Sequence, residues 1–265
     1  MLALGLMYGV VLAGLYAVQR RMIFLPGTQR PSAAAAGVPG LRELIVPATD
    51  GVPLLAWYRP PQPGQPTLLY LHGNGGTLDH RAPRARRFGK TGWGLLFLEW
   101  RGYGGNPGHP SETGFRHDAE GAMAELARLG VPAAQVMVYG ESIGTGIAVP
   151  VAAGHGVAAL ILESPYTSIA AIAAARMPWV PVDWLLRDRF DSLSRIAAVQ
   201  APVLMLQGAQ DTVVPPAMGQ ALFDAAPEPK QLWTAALGRH EDLMQHGAGE
   251  AVLAFVAARV PGVGR

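Results

Sequence analysis

Short apolar, β-rich runs recur along this chain, separated by longer stretches of helical composition. Strands are predicted at 41–46, 54–58, 67–71, 95–99, 136–139, 159–163, 203–207 and 231–235, each bounded by glycine, proline or polar clusters. Pro53 marks where the second can begin, because proline suits a strand's first residue or its edge. From the third strand onward, helical segments fill the intervals. The alternation predicts an α/β fold: a mostly parallel sheet of about eight strands, helices on both faces, and an antiparallel edge made by the first two strands. Loops leaving the C-terminal ends of parallel strands gather at one rim of such a sheet. Ser111 is expected to cap the helix running to Leu129, within which Asp118 and Glu120 read as exposed charges. His80, Arg81, Arg84, Arg86, Arg87 and Lys90 crowd another helix and read as a solvated face, or as a contact for anionic headgroups.

The first eighteen residues carry no charged side chain, and Gln19-Arg20-Arg21 follows them. At about 1.5 Å per residue they span roughly 27 Å, close to the thickness of a bilayer's hydrocarbon core if residues 22–25 sit at the interface. A secretory signal and a buried core helix have similar hydropathy. A signal, however, puts its positive charge first and a small-residue cleavage site after, and here the order is reversed. The reading is a single-pass N-terminal membrane anchor over 1–25, with the arginine pair holding the folded domain on the cytoplasmic side and the N-terminus outside. Residues 26–40, rich in proline, alanine and glycine, read as a linker. A single domain follows over 41–265, with a lid at about 166–199, a size one core can fill. The absence of cysteine excludes disulfides and thiol catalysis, and a net charge of +2 is too small to argue for nucleic acid.

Gly140-Glu141-Ser142-Ile143-Gly144 lies between a predicted strand and a stretch of small residues that suits a helix. In that context G-x-S-x-G describes a nucleophile elbow, a strained turn that presents the serine hydroxyl. In this arrangement an acid and then a histidine follow the serine along the chain. Asp211, in the turn leaving the 203–207 strand, is the choice for the acid; Glu163 is the second choice. His240, after the last strand, is preferred to His155 in its loop and to His246 on a predicted helix. The strand at 67–71 leads into His72-Gly73-Asn74-Gly75-Gly76, whose glycines let the backbone turn toward a substrate. Backbone N–H groups of Asn74 and Ile143 are the expected oxyanion hole.

These motifs, together with Arg101-Gly102-Tyr103-Gly104, resemble the α/β hydrolases. More narrowly, with Glu163-Ser164-Pro165-Tyr166-Thr167-Ser168, Asp188-Arg189-Phe190-Asp191-Ser192 and Gln19-Arg20-Arg21-Met22-Ile23-Phe24-Leu25-Pro26, the chain resembles the bud-emergence-type α/β-hydrolase-domain proteins, which include membrane-tethered serine hydrolases. The resemblance implies cleavage of acyl esters and thioesters, including lysophospholipids and palmitoylated cysteines, with no cofactor and no metal. Glu99-Trp100 departs from the family pattern, and Pro150 should kink or end the helix after the elbow. The expected partners are a small-molecule acyl ester or thioester, a lipid or an acylated protein, and membrane lipid. Gly73, Tyr166 and the lid residues Met177, Trp179 and Trp184 are the candidates for binding substrate. Two rivals stay open: a catalytically silent binding protein on the same fold, and a peptidase or amidase using the same residues.

Overall fold

The computed structural model describes residues 1–260, so the last five positions of the expected 41–265 domain lie outside the described residues. One sheet of eight strands forms its centre. The strands are β1 (Arg42–Pro47), β2 (Pro53–Arg59), β3 (Thr67–Leu71), β4 (Gly94–Leu98), β5 (Val136–Glu141), β6 (Ala159–Glu163), β7 (Val203–Gly208) and β8 (Lys230–Ala235). Their order is β1-β2-β4-β3-β5-β6-β7-β8, antiparallel where β2 pairs with β1 and β4 and parallel everywhere else. The expected antiparallel edge is therefore present, and strand ends differ from the sequence reading by only a residue or two.

Helices alternate with the strands: α1 (Leu2–Ile23), α2 (Ala82–Gly89), α3 (Glu112–Arg128) and α4 (Thr145–Gly154). There follow α5 (Ile169–Arg176), α6 (Val182–Leu185), α7 (Leu193–Ile196), α8 (Pro216–Ala225) and α9 (Ala248–Arg259). Side chains alternate across a strand, so the sheet has two cores. Leu69, Leu71, Val136 and Val138 face α3 and α4, whereas Leu68, Tyr70, Met137 and Tyr139 face α2 and α9. Burial on both faces is why the parallel strands read as unbroken apolar runs. At the outer edge β8 is only partly buried, and the charged Lys230 there discourages pairing with another sheet.

Three expectations change. Residues 26–40 are not a free linker: Ala33, Ala36 and Val38 are buried in the second core, and Pro26 bridges to Gly76. The helix after the elbow runs past Pro150 to Gly154, because its neighbours are packed tightly enough to hold it despite the lost backbone bond. Asp118 is fully buried rather than exposed, accepting from the backbone N–H and Nε of Arg101 at 3.1 and 2.7 Å. Ser111 does cap α3, accepting from the Gly114 N–H at 3.0 Å.

Between β6 and β7 the lid is built from α5, α6 and α7. It lies beside α1, which has 22 residues and is long and apolar enough to cross a membrane.

Candidate active site

β5 ends in a sharp turn that puts Ser142 at φ 48°, in the left-handed region that L-residues rarely adopt. The flanking glycines make that turn possible. A Cβ on Gly140 would meet the Thr145 Cα at 2.7 Å, and one on Gly144 would collide with the Leu71 carbonyl. Thr145 Oγ1 then donates to the Ser142 carbonyl at 2.6 Å, closing the first turn of α4.

Ser142 Oγ lies 2.8 Å from His240 Nε2, and His240 Nδ1 lies 2.7 Å from Asp211 Oδ2. A carboxylate only accepts, so Nδ1–H donates to Asp211 and Nε2 is left to accept from the serine hydroxyl. The other oxygen of Asp211 accepts from the backbone N–H groups of Val213 and Val214, both at 2.8 Å. These bonds orient the carboxylate. The loops after β7 and β8 are laced together: Ala209 and Gln210 donate to the Ala235 and Gly238 carbonyls, each at 2.9 Å. Ser164 Oγ holds the His240 carbonyl at 3.1 Å. The runner-up residues sit elsewhere. Glu163 is bound to Arg84 and Tyr139, His155 pairs with Glu120 at 2.8 Å, and His246 lies 3.6 Å from Asp242.

Asn74 and Ile143 both line a cavity with Ser142 and His240. Neither backbone N–H donates in the turn and loop hydrogen bonds around the described site. A developing oxyanion requires backbone donors beside the attacking oxygen, the role expected of these two residues. The Asn74 side chain is committed elsewhere. Its Oδ1 accepts from Tyr103 Oη at 2.7 Å and from the Leu25 N–H at 2.9 Å, and its Nδ2 donates to the Ile23 carbonyl at 2.5 Å. Tyr166 is buried, and its hydroxyl donates to the Ile143 carbonyl at 3.2 Å, bracing the other donor residue.

The departure at Glu99-Trp100 supports this loop from behind. Glu99 Oε1 lies 2.9 Å from His72 Nε2, its Oε2 accepts from the Leu78 N–H at 2.8 Å, and Trp100 Nε1 donates to the His72 carbonyl at 2.9 Å. Beneath the elbow runs a buried charged network that the sequence reading missed. Glu141 accepts from Arg81 at 3.2 Å and from Tyr70 Oη at 2.5 Å, while Glu163 accepts from Arg84 and Tyr139 Oη, both at 2.6 Å. Arg81 also donates to the Gly75 carbonyl at 2.8 Å, joining the His72–Gly76 loop to the elbow. Burial alone would raise the Glu141 carboxyl, but the charges of Arg81 and Arg84 and the hydrogen bonds from Arg81 and Tyr70 hold it well below the usual carboxylate range. Burial, offset only in part by the Arg101 hydrogen bonds, pushes Asp118 up to about 6. Of the basic cluster on the α2 segment, Arg81 and Arg84 thus turn inward, whereas His80, Arg86 and Lys90 stay exposed as expected. Arg86 holds the Ala36 carbonyl and Arg87 pairs with Glu250. No signal in the sequence marked Arg81 and Arg84, because the burial of Ala85 and Phe88 one turn further on emerges only with the fold.

The cavity has a volume of about 500 Å³, within the range of small-molecule sites. Gly73, Tyr166 and Met177 line it, as do Ile169, Ile172 and Val214. Trp179 and Trp184 do not: they are 53% and 89% exposed on the outside of the lid. In their place Met22, Ile23 and Leu25, at the end of α1 and just after it, reach the cavity. No group of three or more His, Asp or Glu side chains that could hold a metal ion occurs among the described residues.

The profile of the alpha/beta hydrolase fold matches residues 66–188. An uncharacterized protein of Mycobacterium tuberculosis (strain H37Rv) is 39% identical over 224 residues, covering 83% of this chain and 80% of that one. The lysophosphatidylserine lipase ABHD12 of Danio rerio is 33% identical over 66% of this chain and 51% of its own length, so the chain spans about half of that relative. Among solved structures, the Pyrococcus furiosus esterase Pf2001 superposes with a TM-score of 0.73 at 16% identity, over 89% of this chain and 99% of that one, a likeness of fold. The strand order, the elbow after β5 and these relatives agree: the chain belongs to the α/β-hydrolase family.

Proposed function

We propose that the protein is a serine hydrolase that cleaves carboxylic ester or thioester bonds of acyl, lipid-like substrates at a membrane. The observation that carries this reading is the continuous hydrogen-bonded chain from Asp211 through His240 to Ser142, on the wall of a cavity that Asn74 and Ile143 also line. Ser142 Oγ attacks the acyl carbonyl carbon as its proton passes to His240 Nε2. Asp211 stabilises the imidazolium that forms. The carbonyl oxygen, now negative, takes up the N–H groups of Asn74 and Ile143, donors that contribute roughly 3 kcal/mol each in sites of this kind. His240 then gives its proton to the departing alcohol or thiol. Water, deprotonated in turn by His240, hydrolyses the acyl-enzyme and restores the serine.

Support for a lipid-like substrate comes from the apolar cavity walls, from the nearness of α1, and from the name of the Danio rerio relative, a lysophosphatidylserine lipase. An anchor at α1, with Arg20 and Arg21 on the cytoplasmic side, would hold the domain against the bilayer that supplies such substrates.

The test is turnover of p-nitrophenyl acyl esters and acyl thioesters by the full-length protein and by Ser142→Ala. The variant should lose about 10⁶-fold in kcat, the scale seen when a triad nucleophile is removed. Equal turnover by the two proteins would refute the assignment, and preference for an amide panel would point to peptide or amide cleavage.

A further inference from the structure

The lid does not merely cover the sheet; it climbs alongside α1. Asp188 pairs with Arg20 at 2.7 Å, and the Leu185 carbonyl accepts from Gln19 Nε2 at 3.2 Å. The Trp179 carbonyl accepts from Tyr8 Oη at 2.7 Å. From Gln19 to Tyr8 is about 16 Å along a helix axis, so the lid tip rises that far beside a helix able to cross a bilayer. Trp179 and Trp184 stand exposed on this tip, beside the apolar length of α1.

Between α1 and the lid lies a narrow second groove of about 90 Å³. Its lining is apolar apart from the Tyr16 hydroxyl and the Gln19 amide, and that amide is already satisfied by Tyr16, Leu185 and Arg187. Met22, Ile23, Ile169, Ala173 and Met177 line both this groove and the catalytic cavity, so the two adjoin across these side chains.

We infer that this groove is an acyl-chain site that opens sideways into the bilayer. One hydrocarbon chain of a single-chain lipid ester would lie between α1 and the lid, with its carbonyl at Ser142. The inference rests on the serine-hydrolase reading and adds to it: α1 is a wall of the substrate site as well as a tether. The groove is too narrow and too apolar for a headgroup, which stays in the wider cavity. Each methylene that enters tightens binding about fourfold, so the groove selects chain length.

The experiment uses full-length protein in phospholipid nanodiscs, with Leu185→Trp to fill the groove at a residue outside the catalytic cavity and Leu185→Ala to widen it. For each protein the ratio of kcat/KM on dodecanoyl and butyryl esters is measured. The ratio should fall at least tenfold in Leu185→Trp and stay within threefold of the parent in Leu185→Ala. An unmoved ratio in Leu185→Trp overturns the groove, while the hydrolase reading stands if the parent still turns over esters. Should the parent cleave no ester, a lysophospholipid carrying a chain-terminal diazirine decides separately. Crosslinks on Leu15, Met22 or Leu185 that Leu185→Trp abolishes sustain the groove without catalysis; crosslinks unaffected by that substitution sink it.

Discussion

In the proposed mechanism the Asn74 side chain serves the site without touching the substrate. Its backbone N–H is free for an oxyanion, while its amide is fixed by Tyr103, Leu25 and Ile23. Asn74→Ala keeps the N–H and removes the fixings, so kcat should drop about tenfold, a loss of roughly 1.4 kcal/mol, with KM for a short ester little changed. Steady-state kinetics check this, and full activity would mean the loop holds its shape unaided. Asp211→Asn tests the tautomer more severely: an amide facing Nδ1 no longer enforces it, and kcat should fall by about 10⁴-fold. Glu141 carries a pH prediction. Its folded carboxyl is held below the usual range, chiefly because the nearby arginines outweigh the cost of burial. The stability it adds is therefore complete above the unfolded value of about 4.3 and is lost as pH falls through the lower folded value. Urea titrations of wild type and Glu141→Gln should differ by a constant amount above about pH 6, and the gap should close in acid. A gap that widened toward low pH would contradict this charge state.

At the scale of elements, legibility followed sequence locality. Ser142, Asp211 and His240 each follow a strand directly, and topology alone brings the ends of β5, β7 and β8 to one rim, so motif and strand order located them. What escaped were pairings between remote elements. Arg84 and Glu163 are 79 positions apart, and no local pattern says that a charged face of α2 turns inward. Hydropathy also misplaced Trp179 and Trp184, since an apolar lid residue can line a pocket or face a bilayer with the same sequence signature. The Glu99-Trp100 oddity was visible, but its partners, His72 and Leu78, lie on another loop. The network beneath the elbow should behave as a unit. Arg84→Met strands a buried carboxylate with side-chain exposure of 1%. Such a loss costs about 3–5 kcal/mol, readable as a lower urea midpoint; a change under 1 kcal/mol would show that Glu163 finds another partner.

For the molecule as a whole, α1 is joined to the domain by more than a chain connection. Gln19, Arg20, Ile23 and Leu25 bond to the lid and to the oxyanion loop, and residues 26–40 pack onto the sheet. Apart from its contacts with the lid, α1 is almost wholly exposed, with Leu2, Leu4, Leu6 and Val10 each more than 60% open. An apolar surface of this extent demands lipid or a partner. Carbonate-washed membranes should retain the full-length protein, and release into the supernatant would remove the anchor from the account. The central claim is chemical, and one measurement reaches it most directly. Intact and peptide mass spectrometry after fluorophosphonate treatment should find a single phosphonyl adduct on Ser142, absent or slowed at least 10³-fold in His240→Ala. An unlabelled Ser142, or an adduct on another serine that persists without His240, would contradict it.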